Sequence, residues 1–127
     1  MIRACTFLIL IGLTTWATAQ EPNGRWRGGW RSDTSGHRGP MRATITPRKD
    51  GLYDARFTGR FALIIPFTYR VTMTPVAVSP CATTLVATKQ MPIFGTYRMT
   101  ATVSGSSLEA RYTAKKDVGV FRMRRSR

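Results

Sequence analysis

The chain has 127 residues, with twenty Lys and Arg against six Asp and Glu, a formal net charge of +14, two cysteines and one histidine. That length fits one domain with a modest core, and the charge selects anionic partners. One histidine, two cysteines and scattered carboxylates are too few ligands for a dedicated transition-metal site, and no Gly-rich phosphate loop leads into a helix, so neither a metal nor a cofactor is expected.

The chain opens as a targeting segment. Met1-Ile2-Arg3 gives a positive start, Phe7 to Leu13 an apolar run, and Ala17-Thr18-Ala19 an A-x-A cleavage site. The run is far shorter than the ~20 residues that span a bilayer. Cys5 precedes the apolar run, where a lipid-carrying cysteine would follow it. Cleavage after Ala19 is therefore expected, with residues 1–19 as signal peptide and 20–127 as a single exported domain, periplasmic or extracellular. Arg3 leaves with the leader, so nineteen basic residues face six acidic ones and the net charge becomes +13. Outside the cytoplasm such a surface meets anionic glycans or lipid headgroups, and nucleic acid is disfavoured. Sixteen of the twenty basic residues are Arg, whose planar fork grips carboxylate, phosphate or sulfate in pairs of bonds. Cys81 would remain as a lone thiol, and a monomer is expected.

Beyond the leader no stretch has helical periodicity. Thr, Val, Tyr, Phe and Ile alternate with polar residues, and Gly or Pro punctuates the runs. Strands are predicted at 25–33, 41–47, 52–60, 66–75, 82–89, 95–104, 107–114 and 118–124. Eight short strands with short connections imply an all-β, antiparallel meander closing into a small barrel.

A repeat runs through these strands. Arg42 to Thr46, Arg70 to Thr74 and Arg98 to Thr102 all read R-x-T-x-T, starting 28 residues apart each time. A fixed period of this size marks one repeated hairpin unit. Lys49-Asp50-Gly51 suits a three-residue hairpin loop with Gly51 left-handed, and Gly105-Ser106 a two-residue turn with Gly first. The first turn sets Arg42 opposite Thr58, Thr44 opposite Arg56 and Thr46 opposite Asp54. The second sets Arg98 opposite Thr113, Thr100 opposite Arg111 and Thr102 opposite Glu109. Both hairpins then carry an apolar face, with Met41, Ala43, Ile45, Tyr53, Ala55 and Phe57 in the first. Tyr97, Met99, Ala101, Leu108, Ala110 and Tyr112 form it in the second. The opposite face is a lattice of Arg and Thr, and Arg42, Arg56, Arg98 and Arg111 are the candidate anion-binding surface.

Gly24-Arg25-Trp26 at the first strand, a meander of about eight strands and an Arg in the last strand resemble the calycin superfamily, which includes lipocalins and avidins. The resemblance implies that Trp26 plugs the closed end of the barrel and that Arg122 or Arg124 packs over it. The lipocalin disulfides are missing. The chain is also similar to short exported bacterial proteins with a Trp-rich start and an S-x-G-H-x-G loop, here Ser35-Gly36-His37-Arg38-Gly39. They share G-R-F at Gly59 to Phe61, P-F-x-Y at Pro66 to Tyr69 and an F-R-M-R-R end from Phe121 to Arg125. That likeness carries no activity.

Two apolar segments precede R-x-T-x-T strands and should meet at one end of the barrel: Phe61 to Phe67, and Met91 to Gly95. Phe61, Ile64, Ile65, Phe67, Ile93 and Phe94 are the candidate ligand contacts if the barrel is hollow there. Closure of that end by these residues is the expected outcome, because so short a chain leaves little volume to hollow. The function read from the residues is a noncatalytic exported barrel with a basic surface, open to a small apolar ligand. The alternatives are an outer-membrane barrel with the Arg/Thr lattice in its lumen, and a small exported enzyme using His37.

Overall fold

Alternation of period two is what an antiparallel sheet needs when one face is packed and the other wet. The computed structural model follows it along most of its strands; the structure describes residues 21–61, 65–92 and 95–126, with Phe61 described in its backbone only. The expected leader and its cleavage site lie outside these residues. Eight strands follow one another: β1 (Gly24–Ser32), β2 (Arg38–Pro47), β3 (Tyr53–Phe61), β4 (Ile65–Val78), β5 (Thr83–Met91), β6 (Gly95–Ser104), β7 (Ser107–Ala114) and β8 (Asp117–Arg125). Each pairs antiparallel with the next, and β1 pairs with β8, so the meander closes into a barrel.

Both proposed hairpin registers are present. Arg42 faces Thr58, Thr44 faces Arg56 and Thr46 faces Asp54; Arg98 faces Thr113, Thr100 faces Arg111 and Thr102 faces Glu109. Gly51 has φ +84° and Gly105 φ +60°, the left-handed region that a side chain resists. The loop of three residues is closed by Arg48 N–H donating to the Leu52 carbonyl at 2.8 Å. Inward residues such as Ala43, Ile45, Ala55, Phe57, Met99, Ala101, Leu108 and Ala110 are all buried. Arg42, Arg56, Arg98 and Arg111 are exposed on the outside. That sidedness is the reverse of what the outer-membrane alternative requires, where lipid would meet the apolar face.

β4 runs longer than expected, to Val78, because its register against β5 slips between Pro75 and Ala77. The bulge leaves Val76 as an extra residue beside Pro75, which has no N–H to give a ladder. Pairing of β4 with β5 is confined to the stretch from Thr74–Val86 to Val78–Thr83. Nearer the other end the two strands splay, and Lys89 reaches across to donate from Nζ to the Arg70 carbonyl at 2.6 Å.

Cys81 is disulfide-bonded in the full-length chain; the lone-thiol expectation concerns the chain after loss of residues 1–19, which carry the other cysteine.

Candidate functional site

The two ends of the barrel differ. At the end where the chain enters, Trp26 is buried, and its indole N–H donates to the Pro22 carbonyl at 2.9 Å. The arginine over its ring is Arg125, with the guanidinium carbon 4.4 Å from the ring centroid. Arg125 also donates to the Asn23 and Glu21 carbonyls at 2.6 Å each. Arg122 and Arg124, the residues expected there, point outward. Inward positions in β8 are Phe121, Met123 and then Arg125, so alternation along the strand selects Arg125. Arg122 instead meets Glu109 at 3.7 Å on the surface.

The opposite end holds, among the described residues, a cavity of about 780 Å³; residues 62–64 and 93–94, most of the segments expected to close it, lie outside those residues. Room for the cavity comes from three ring–glycine pairs. Trp30 lies opposite Gly39, Phe67 opposite Gly59 and Tyr112 opposite Gly119. A Cβ on Gly59 would come within 2.5 Å of the Phe67 ring, and one on Gly119 within 2.5 Å of the Tyr112 hydroxyl. Each ring therefore lies over a bare stretch of neighbouring backbone, against the wall and not across the middle. Trp30 is fixed further by its indole N–H, which donates to the Arg60 carbonyl at 3.1 Å, and by an edge contact with Phe67 at 6.0 Å.

Beneath the mouth, five rings form a circuit. Phe57 stacks on Tyr69 (5.1 Å between centroids), Tyr69 meets Tyr97 edge-on (5.3 Å), and Tyr97 stacks on Tyr112 (6.0 Å). Tyr112 stacks on Phe121 and Phe121 tilts against Phe57, both at 5.5 Å. Four of the five line the cavity, and Phe57 lies in the core outside that lining. The circuit separates a filled lower core from the hollow upper one.

Polar groups on this apolar wall are few and held. The Tyr69 and Tyr97 hydroxyls share a hydrogen bond of 3.0 Å that spans from β4 to β6 where β4 and β5 splay. At the mouth the Asp117 carboxylate accepts from the Tyr112 hydroxyl at 2.9 Å and from the Ser32 hydroxyl on its other oxygen. Burial is the main cause that lifts the phenol pKa of Tyr69, Tyr97 and Tyr112 far above the ordinary value of 10.0. For Tyr112 the Asp117 carboxylate adds to the rise. All three therefore remain neutral hydroxyl groups under ordinary conditions.

Of the expected ligand contacts, Ile65 and Phe67 line the cavity. Ile64, Ile93 and Phe94 lie outside the described residues, as does the side chain of Phe61. Trp30, Tyr69, Tyr97, Tyr112, Phe121 and Asp117 complete the site and were not singled out as ligand contacts; their signal is inward parity on strands that end at the same mouth. His37 is exposed on the loop between β1 and β2, its Nδ1 2.8 Å from the Ser35 hydroxyl, which also accepts from the His37 N–H at 3.3 Å. Such local bonding is what shapes a serine turn.

The four arginines of the expected anion surface do not converge. Arg42 and Arg56 sit on neighbouring strands β2 and β3, but Arg98 and Arg111 are on β6 and β7, across the barrel.

No family model matches the chain, and no curated protein does. Among solved structures it is similar to a de novo designed fluorescence-activating β-barrel, with a TM-score of 0.57 and 20% sequence identity over 82% of this chain and 93% of the designed one. At that identity the likeness concerns the fold, an eight-stranded antiparallel barrel.

Proposed function

We propose that this protein is a noncatalytic, exported binding barrel that takes a small apolar, ring-bearing molecule into this cavity. The observation that carries the reading is the cavity of about 780 Å³ walled by Trp30, Phe67, Tyr69, Tyr97, Tyr112 and Phe121. Its volume falls within the ~300–1,000 Å³ of small-molecule sites, and its make-up follows their pattern, apolar walls with a few placed polar groups. The neutral phenols of Tyr69 and Tyr97 and the Asp117 carboxylate are the groups that would orient a ligand. The designed barrel of similar fold is described as fluorescence-activating, which supports a small-molecule reading for this architecture.

A neutral, polarity-sensitive dye such as Nile red tests it. The protein should bind the dye with a blue shift, and Ala114→Trp, a change at the half-buried lip of the cavity, should weaken binding about tenfold or more, equivalent to ~1.4 kcal/mol. Equal binding by the wild type and Ala114→Trp would place the dye elsewhere and refute the reading.

A further inference from the structure

The outer wall has a second concavity where β4 and β5 splay, a groove of about 670 Å³. It is lined by the hydroxyls of Thr44, Thr46, Thr72 and Thr88 and by Arg56 and Arg70. Arg56 and Arg70 are direct cross-strand partners. Like charges set opposite each other in a sheet repel, and neither guanidinium has an ion pair among the described residues. Asp54, the carboxylate on the rim, is taken by Arg48 at 3.5 Å. Lys89 adds a third positive charge beside the groove, its ammonium anchored on the Arg70 carbonyl.

The same uncompensated pattern continues round the barrel. Arg25 faces Thr44, which faces Arg56. One row along, Arg27 lies directly between Arg42 and Arg124. Neighbouring strands are about 4.8 Å apart, so these guanidinium groups form a close band leading away from the groove. Sheets usually place opposite charges or neutral residues in such pairs. Here the repulsion is kept, and an anion lying along the band would relieve it.

We propose that the groove and the band together bind a linear acidic polysaccharide, one sugar seated in the groove and its neighbours on the arginine rows. The chemistry selects this occupant. Guanidinium forks take carboxylate or sulfate, and four threonine hydroxyls suit a sugar's own hydroxyls. A chain can enter a cleft between strands, which a planar bilayer cannot. Among the described residues the groove is lined by no aromatic ring for a base to stack on, the feature that single-stranded nucleic acid sites rely on.

The test compares two double variants that remove equal charge: Arg56→Gln/Arg70→Gln at the groove, and Arg111→Gln/Lys116→Gln away from it, Arg98 being left in place because it pairs with the groove residue Thr88. Binding of a heparin oligosaccharide is measured by calorimetry at physiological ionic strength, with phosphatidylglycerol vesicles as a second probe. The groove variant should lose at least about tenfold in affinity, the equivalent of one charge-assisted hydrogen bond, and the other variant less than about threefold. On the wild-type protein, the oligosaccharide should protect Arg56 and Arg70 from phenylglyoxal while Arg111 still reacts. This second measurement holds even if a variant fails to fold. Equal losses in both variants, or uniform protection, would mean bulk charge alone and overturn the proposal. So would vesicle binding without oligosaccharide binding.

Discussion

Replacing Arg125 with Ala should be far more damaging than replacing Arg124, although the two are adjacent arginines in one strand. Arg125 lies over the Trp26 ring at 4.4 Å and donates to the carbonyls of Asn23 and Glu21 at 2.6 Å and of Gly105 at 3.5 Å. The Glu21 bond is at the surface, and water replaces it at little cost. The part-buried bond to Asn23 is charge-assisted, and its loss costs ~1.5–3 kcal/mol; the cation–π contact adds ~0.5–1 kcal/mol. The expected loss is thus about 2–4 kcal/mol, or a fall in Tm of roughly 10–20 °C for a domain of this size. Arg124 is exposed and faces Arg27, so Arg124→Ala should change stability by no more than ~0.5 kcal/mol. Urea unfolding followed by tryptophan fluorescence measures both. Equal losses, or a larger one at Arg124, would refute the parity argument and the assignment of the closed end.

Gly51→Val and Gly105→Val should each destabilise by about 1–3 kcal/mol through backbone strain alone, since nothing lies within 4 Å of a Cβ at either site; urea midpoints check this. The raised phenol pKa values of Tyr69, Tyr97 and Tyr112 fix the alkaline behaviour. Above pH ~10 the unfolded chain gives up protons that the folded one keeps, so stability is full below that pH and falls as pH rises past it, by up to ~1.4 kcal/mol per unit per tyrosine. Absorbance at alkaline pH should show these phenols ionising only on unfolding, and ionisation of all three in the folded protein near pH 10 would contradict their burial. Sequencing of the exported protein should start at Gln20, and a mature form retaining Phe7 to Leu13 would overturn the leader assignment.

The barrel and two of its registers were legible because local chemistry fixes them. Gly51 and Gly105 pin turns whose loop lengths leave one pairing, and the R-x-T-x-T repeats then sort inside from outside. Repeat equivalence set Arg42 and Arg98 on the same outer side of the sheet, and closing the sheet carries successive copies to different walls. Arg125 was missed because the last-strand Arg was sought by motif, although Phe121 and Met123 already set the inward parity. The cavity was harder to foresee. Gly39, Gly59 and Gly119 make room for rings only through the β1–β2, β3–β4 and β7–β8 registers, and no glycine turn of known type sets those. Volume follows from where side chains lie, which chain length does not determine.

The central claim is that the upper barrel is hollow and takes an apolar ligand. Methionine methyl NMR tests it most directly, because Met41 and Met91 line the cavity while Met73 and Met123 sit in the core outside that lining. With methyl-labelled methionine and a neutral aromatic ligand, the Met41 and Met91 signals should shift in a saturable manner while those of Met73 and Met123 stay fixed. A bound ligand that leaves Met41 and Met91 unmoved, or no saturable shift with any apolar ligand, would contradict the account.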